Sequence, residues 1–382
     1  MKAHRKHTKL TAAAFGNFAR NEWAIVGLPC QEIKTLAQDI LAALKNSYSC
    51  IYLDTAHDKE KNDLNTDNFG EAIIVAESEG FQLKSTDVLS GYKYRQLLNA
   101  YDLVIVNGNH QPAAKQILII DERKKESIIK HIETYKNIEL LINTRGSEPL
   151  PEWVKNILPN WEQIRCIDLK HIKELVAFFE MQILQVAAPI NGLVLAGGKS
   201  ERLGYDKTII NWHGKPQKYY LADLMRPFCK EVYISCRAGQ KEEIDFGYPT
   251  LEDTFTELGP YGAILSAFRH NPNAAWLVIA SDLPLIDKET ISYLIEHRVI
   301  RCIASTYESP FDGLPEPLLT IWEPKSYGIL LHFLAEGISC PRKVLIHNNT
   351  AVLKAAESYK LENVNTGVEV EKIKRILPNA DA

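Results

Sequence analysis

The sequence predicts an α/β protein of two domains, each a mostly parallel sheet flanked by helices, and three observations carry that expectation. Short apolar runs alternate with amphipathic stretches along the chain. The alternation breaks near residues 185–191, around Pro189, and then restarts. At 382 residues the chain exceeds one ordinary core, so two domains of roughly 190 residues each are the natural division. The expected domains are residues 1–188 and 189–382.

In the first half, runs at 23–27, 50–54, 103–107, 117–121, 138–143 and 164–169 read as strands, with helical stretches at 32–44 and 123–135. Residues 57–71, rich in Lys, Asp and Asn, read as a surface loop. Ile172, Leu175, Val176, Phe179 and Ile183 recur at helical spacing, so 171–186 reads as a packed amphipathic helix. In the second half the strand candidates are 192–196, 232–236, 276–280, 302–306 and 318–322, with helices near 217–226, 262–269 and 288–297. In such a fold ligands gather outside the carboxyl ends of the strands.

Bulk properties exclude several classes. Apolar content of 46% and charged content of 24% are those of a soluble globular protein. A formal net charge of −4 gives no electrostatic reason for nucleic-acid binding. The seven Cys are scattered with no C-x-x-C pair, which suits free buried thiols in a reducing compartment. Residues 11–18, broken by Gly16 and Asn17, lack the apolar core of a signal peptide. No run approaches the ~18 apolar residues of a membrane span. The expectation is a cytoplasmic protein without membrane or nucleic-acid partners.

Chemistry concentrates in residues 193–207, LVLAGGKSERLGYDK. An apolar strand runs into Gly197 and Gly198, whose bare backbone N–H groups can wrap a polyphosphate. Lys199, Arg202 and Lys207 surround that loop with cations, and Gly204 permits its return. A second feature is AAWLVIASDLPLI at 274–286, a buried strand that delivers Asp282 at its carboxyl end before Pro284 stops it. A carboxylate there suits Mg²⁺ completed by substrate phosphates and water; a cap or solvent-facing acid is the plainer reading. Between them, Gly259, Pro260 and Gly262 turn into a helix whose N-terminal N–H groups suit a base or phosphate. Asp253 suits a purine edge. Turn and cap duty explains this segment equally well in isolation.

Taken in order, LAGGKSERLGYDK, ELGPYGAILSA, ASDLPLI, DGLPEPLLTIW, CPRKVL and ENVNT resemble molybdenum cofactor guanylyltransferases, within the wider nucleotidyltransferase superfamily. The resemblance covers nearly all of residues 191–382. Cytidylyltransferases of the same pathway tend to carry Ala where Gly198 stands. The resemblance implies a Rossmann-like domain, GTP and Mg²⁺, and transfer of GMP to the phosphate of molybdopterin with release of pyrophosphate. It places Leu195, Ala196, Gly197, Gly198, Ser200 and Gly259 against the nucleotide. Arg202 then meets the leaving phosphates, Lys207 neutralises charge near the α-phosphate, and Asp253 contacts guanine or ribose. Asp282 becomes the Mg²⁺ ligand, while Arg342 and Asn365 fall on the pterin side. Such chemistry needs in-line positioning and charge stabilisation and no protein nucleophile.

The first half departs from a working P-loop. After Gly27 the segment LPCQEIKTL puts Glu32 where the second Gly belongs, with Lys34 and Thr35 one place late. The layout of 23–44, YLDTAHD at 52–58 and DLVIVNG at 102–108 resembles the GTP-binding adaptor protein of molybdopterin guanine dinucleotide synthesis. Where the adaptor has an acid, this chain has Asn107, which also argues against hydrolysis. A generic α/β module is the competing reading. If the adaptor likeness holds, this half presents cofactor to molybdoenzyme clients or cofactor-insertion proteins. His57 and His110 sit in loops, where lone histidines are seldom ligands.

For the whole chain, two other functions compete with guanylyl transfer. One is a different nucleotidyltransferase, acting with CTP on the same pterin or with an NTP on a sugar phosphate. The other, of a different class, is a non-catalytic carrier of cofactor or partner enzyme.

Overall fold

The computed structural model describes residues 9–55, 72–77, 80–85, 90–146, 148–196, 210–237, 239–244 and 247–377. The chain divides into two compact units. One is Phe15–Val186; the other is Ala187–Ala382, joined by residues 9–14. That N-terminal segment is held where Ala14 N–H donates to Asn273 Oδ1 at 2.8 Å and Asn273 Nδ2 donates to Ala12 O at 3.0 Å.

The first unit runs β1 (Glu22–Val26), α1 (Cys30–Leu44), β2 (Cys50–Leu53), β3 (Ala72–Glu77), β4 (Gly80–Ser85), α2 (Gly91–Leu98), β5 (Leu103–Asn107), β6 (Lys115–Ile120), α3 (Lys125–His131), β7 (Ile138–Asn143), α4 (Glu152–Ile157), β8 (Arg165–Asp168) and α5 (Ile172–Gln185). Six strands form a parallel sheet in the order β2-β5-β1-β6-β7-β8. Strands β1 and β5 are buried at every position, as strands covered by helices on both faces require. Helix α5 buries Leu175, Phe179 and Ile183 as its spacing predicts, and adds Phe178. Phe178 and Phe179 both meet the fully buried Trp23 edge-on, at 5.2 and 5.8 Å. The expected helix at 123–135 is broken into α3 between two 3₁₀ turns. The antiparallel pair β3–β4 was not expected. Residues 57–71, with His57, lie outside the described residues.

The second unit runs β9 (Ile190–Leu195), α6 (Gln217–Met225), β10 (Val232–Cys236), β11 (Thr250–Glu252), α7 (Pro260–His270), β12 (Ala275–Ala280), α8 (Lys288–Glu296), β13 (Ala304–Glu308), β14 (Pro315–Trp322), α9 (Ser326–Ala335), α10 (Pro341–Ile346), β15 (Thr350–Leu353) and α11 (Gly367–Ile376). Its seven-stranded sheet has the order β11-β10-β9-β12-β14-β13-β15. Parallel pairing dominates, but β14 runs antiparallel to both β12 and β13. That reversal brings the start of β14 to the rim where β9 and β12 end. Two cores fill the unit, one around Tyr261, Phe268 and Trp276, the other around Leu221, Met225 and Leu277. A third, smaller cluster joins Ile210, Trp212 and Leu285 to Val364, Val370 and Ile373 of the α11 region.

Among the described residues no helix is long and apolar enough to cross a membrane. All seven Cys are free. Only Cys236 and Cys302 are fully buried, whereas Cys166 and Cys340 are exposed, so the expectation of buried thiols holds for part of the set.

Candidate active site

The carboxyl rim of the second sheet collects the predicted residues that the structure describes. Leu195, last in β9, lies level with Ala280, last in β12, and Ser281 N–H donates to Leu195 O at 3.3 Å. Ala196 and Asp282 therefore leave neighbouring strands at one rim. Gly197, Gly198, Lys199, Ser200, Arg202, Gly204 and Lys207 lie outside the described residues.

Asp282 sits in the turn after β12, and that turn is tied down from three sides. Its carbonyl accepts from Val364 N–H at 2.8 Å. Leu283 O accepts from Gln217 Nε2 at 3.1 Å, and Pro284 O lies 2.8 Å from His213 Nε2. Burial lowers the His213 pKa, which favours the neutral ring. Asn365 follows Val364, so the structure brings this predicted residue beside Asp282. Its N–H donates to Glu369 Oε2 at 2.7 Å, next to the capping box of Thr366 and Glu369 that starts α11.

Asp253 follows β11 on the same rim. Its N–H donates to Cys236 O at 2.9 Å, and its Oδ1 accepts from Ser235 Oγ at 2.9 Å. Gly259 caps α7 with φ +55, and Pro260 opens the helix. At Gly262 a Cβ would stand 2.0 Å from Phe255 O, so only glycine lets the loop lie on the helix. Ser266 Oγ then accepts from Thr254 N–H at 2.8 Å, fixing Asp253 relative to the α7 N-terminus.

Burial pushes the Asp253 carboxyl up to about 6, against a smaller downward pull from Ser235. A folded pKa above the unfolded value means the native state binds the extra proton. Stability is therefore lost as pH rises from about 4 through about 6, where the buried carboxylate ionises. Asp253→Asn should raise the unfolding temperature at pH 8 and leave it nearly unchanged at pH 4. Thermal melts at the two pH values check this, and equal shifts at both would contradict it.

A group the sequence left unassigned completes the rim. Glu316, second in β14, is only 14% exposed at the side chain. Its Oε1 accepts from Leu318 N–H at 3.1 Å and its Oε2 from Arg342 Nη2 at 3.3 Å. Arg342 Nη1 donates to Asp312 Oδ2 at 2.7 Å. Burial raises the Glu316 pKa, the Leu318 N–H and Arg342 pull it down, and the charges of Asp282 and Asp312 add to the rise. Asp282, Glu316, Arg342 and Asp312 thus form one electrostatic group. The signal in the sequence was an acid within the otherwise apolar PEPLLTIW.

The first unit's equivalent rim is filled by its own side chains. Glu32, in the first turn of α1, accepts from Arg123 Nη1 at 2.9 Å and Nη2 at 2.8 Å. Arg123 also pairs with Asp121 at the end of β6. Buried Asn107 donates through Nδ2 to Asp54 Oδ1 at 3.0 Å, and Asn109 Nδ2 donates to Leu28 O at 2.8 Å. His110 Nε2 lies 3.3 Å from Cys30 Sγ. Among the described residues no three His, Cys, Asp or Glu side chains are grouped to hold a metal ion.

Residues 192–351 match the model of a family described as the MobA-like NTP transferase domain. A molybdenum cofactor biosynthesis bifunctional protein of Synechocystis sp. is 34% identical over 179 residues, 47% of this chain and 52% of that protein. A molybdenum cofactor guanylyltransferase of Pseudomonas putida is 27% identical over 181 residues, 47% of this chain and 94% of the relative. The match thus spans about half the length of the first of these relatives and nearly all of the second. A solved structure of molybdopterin-guanine dinucleotide biosynthesis protein A from Archaeoglobus fulgidus covers 49% of this chain and 97% of its own, at 22% identity and a TM-score of 0.41. The second unit of this chain therefore carries a MobA-like NTP transferase domain.

Proposed function

We propose that the second unit transfers GMP from GTP to the phosphate of molybdopterin, releasing pyrophosphate. The observation that carries this reading is the shared rim: Leu195 and Ala196 enter the glycine segment one strand away from Asp282, within a domain whose named relatives include guanylyltransferases. The acceptor phosphate oxygen forms a bond to the α-phosphorus of GTP while the bond from that phosphorus to pyrophosphate breaks. Arg202 and Lys207, outside the described residues, are assigned to the leaving phosphates and to the α-phosphate. Asp253 and the α7 N-terminus take the guanosine side.

Mg²⁺ fits the donor set. Asp282, a carboxylate in the turn at the end of β12, suits a hard cation that takes its remaining ligands from phosphate and water. Asp282 would hold it, and when bound it would offset charge on the transferring phosphates. Asp282 itself is kept at the rim by the Val364, Gln217 and His213 contacts.

The first unit is read as an α/β module that does not hydrolyse nucleotide, because Glu32 stands in the first turn of α1, where a phosphate cradle would form, and holds Arg123 from the turn after β6. Its likeness to the adaptor protein supports a presenting role toward clients.

Turnover with each of the four NTPs tests the assignment. Pyrophosphate release with molybdopterin should be at least 10-fold faster with GTP than with CTP, UTP or ATP, a margin of about 1.4 kcal/mol in transition-state binding. A preference for CTP would convert the reading to cytidylyl transfer. No turnover with any of them, alongside tight pterin binding, would favour a carrier.

A further inference from the structure

We propose that Glu316 is a positioning residue: together with Asp312 it sets the plane of Arg342, so that Arg342 presents its remaining N–H donors to the acceptor's phosphate. This rests on the transfer reading above and deepens it.

The local chain explains why Glu316 stands where it does. Strand β12 pairs with β14 up to Ile279 opposite Leu319, and continuing that register past the strand end puts Glu316 level with Asp282. On its other side β14 pairs with β13 irregularly: Thr306 opposes Thr320, yet Glu308 opposes Pro315. The extra β14 residues bulge, and bulges re-aim side chains near functional sites. The bulge leaves carbonyls without ladder partners. The buried Thr320 hydroxyl supplies one, donating to Glu316 O at 2.6 Å, and Thr306 Oγ1 lies 3.0 Å from Leu319 O. The backbone of Glu316 is therefore pinned independently of its side chain.

Arg342 enters from α10. Two carboxylates on two different Nη atoms fix both the position and the plane of the guanidinium, as one contact does not. The anchors differ in kind. Asp312 makes the shorter contact, 2.7 against 3.3 Å, but is 40% exposed and screened by water, whereas Glu316 is 14% exposed. Glu316 is thus the less screened of the two anchors. Three of the five N–H donors of Arg342 make no hydrogen bond among the described residues, and its side chain remains 29% exposed. A guanidinium held from behind by acids, with donors still open, suits a phosphate oxyanion. The surrounding acids discourage an anion that arrives without a cation, so the clamp favours the metal-accompanied complex over stray phosphate.

The test is a double-mutant cycle in the full chain, with molybdopterin as acceptor and GTP as donor. Glu316→Leu should raise the acceptor KM about 10-fold, while kcat and the GTP affinity measured by titration calorimetry stay within about 2-fold. Glu316→Gln, which keeps an acceptor for Arg342, should recover most of that loss. Arg342→Leu should raise the acceptor KM further, and adding Glu316→Leu to it should change little, because Glu316 acts through Arg342. Thermal melts confirm that each variant is folded; if Glu316→Leu is not, the Gln variant and the Asp312→Asn variant carry the cycle. Additive effects in the cycle, or an equal loss of GTP binding, would overturn the positioning role and leave the transfer reading intact. A wild-type chain that releases no pyrophosphate would overturn both.

Discussion

Asp282→Asn is expected to slow pyrophosphate release from GTP by roughly 10²- to 10³-fold, the loss typical when one charged stabiliser is removed from a preorganised site. The expectation follows from how the residue is built in. Its carbonyl, which accepts from Val364 N–H at 2.8 Å, is untouched by the substitution. Gln217 and His213 hold the next two carbonyls through contacts that also do not involve the carboxylate. The amide therefore keeps the shape of the turn and removes only the charge. GTP turnover in a coupled pyrophosphate assay, read beside a thermal melt, checks the point. A variant that turns over at the wild-type rate would show that the carboxylate takes no part in the reaction.

The second large effect lies in the first unit and concerns stability. Glu22, 2% exposed, opens β1, and its carboxylate accepts four backbone N–H groups: Asn17 at 2.8 Å, Phe18 at 2.6 Å, Ala19 at 2.9 Å and Ala114 at 2.7 Å. Two distant stretches of chain converge on one side chain. Glu22→Leu leaves those donors without acceptors, two of them on the buried residues Phe18 and Ala19, at a cost of roughly 3 kcal/mol or more. Glu22→Gln is less severe but still costly, because one carboxylate oxygen is replaced by an NH₂ that faces other donors. Denaturant unfolding followed by hydrogen exchange in residues 15–186 should show the loss there. A change under about 0.5 kcal/mol would mean that water replaces the carboxylate without penalty.

Much of this architecture was legible because it is local. Leu103–Asn107, Ile138–Asn143 and Val232–Cys236 fall at their expected bounds. Each is a short apolar run bounded by polar residues, and burial on both faces requires that composition. Asp282 could be singled out because an acid just after an expected strand lies on the rim, whereas Asp253 was marked by the Gly-Pro turn that it precedes and by resemblance, and the strand β11 before it was not expected. The antiparallel pairing of β3 with β4 was missed because Ser78 and Glu79, which stand between them in the sequence, are neither the glycine nor the asparagine that flags a hairpin. Helix α9 was missed for another reason: SYGILLHFLA is apolar nearly all round and shows no polar stripe from which to read a period. Glu316 stood out only as an acid in the largely apolar PEPLLTIW, and nothing in that segment gave it a role. Its place depends on β14 running antiparallel between β12 and β13 and on the bulge within it, and both are set by sheet order, which no single segment encodes. Arg342 was assigned to the acceptor side by resemblance, but its two acidic partners come from a turn and a strand about 30 residues earlier.

The small cluster of Ile210, Trp212, Leu285, Val364, Val370 and Ile373 stands apart from the two sheet cores. It fastens the stretch that follows the glycine segment, the turn that follows Asp282 and the beginning of α11 in a single knot of six side chains. Such a knot opens as a unit, at a free energy below that of global unfolding. Fraying of the last helix and misplacement of the acid at residue 282 are then one event counted twice. Loosening at Ile373, far along the chain from residue 282, would surface first as a displaced Asp282 turn.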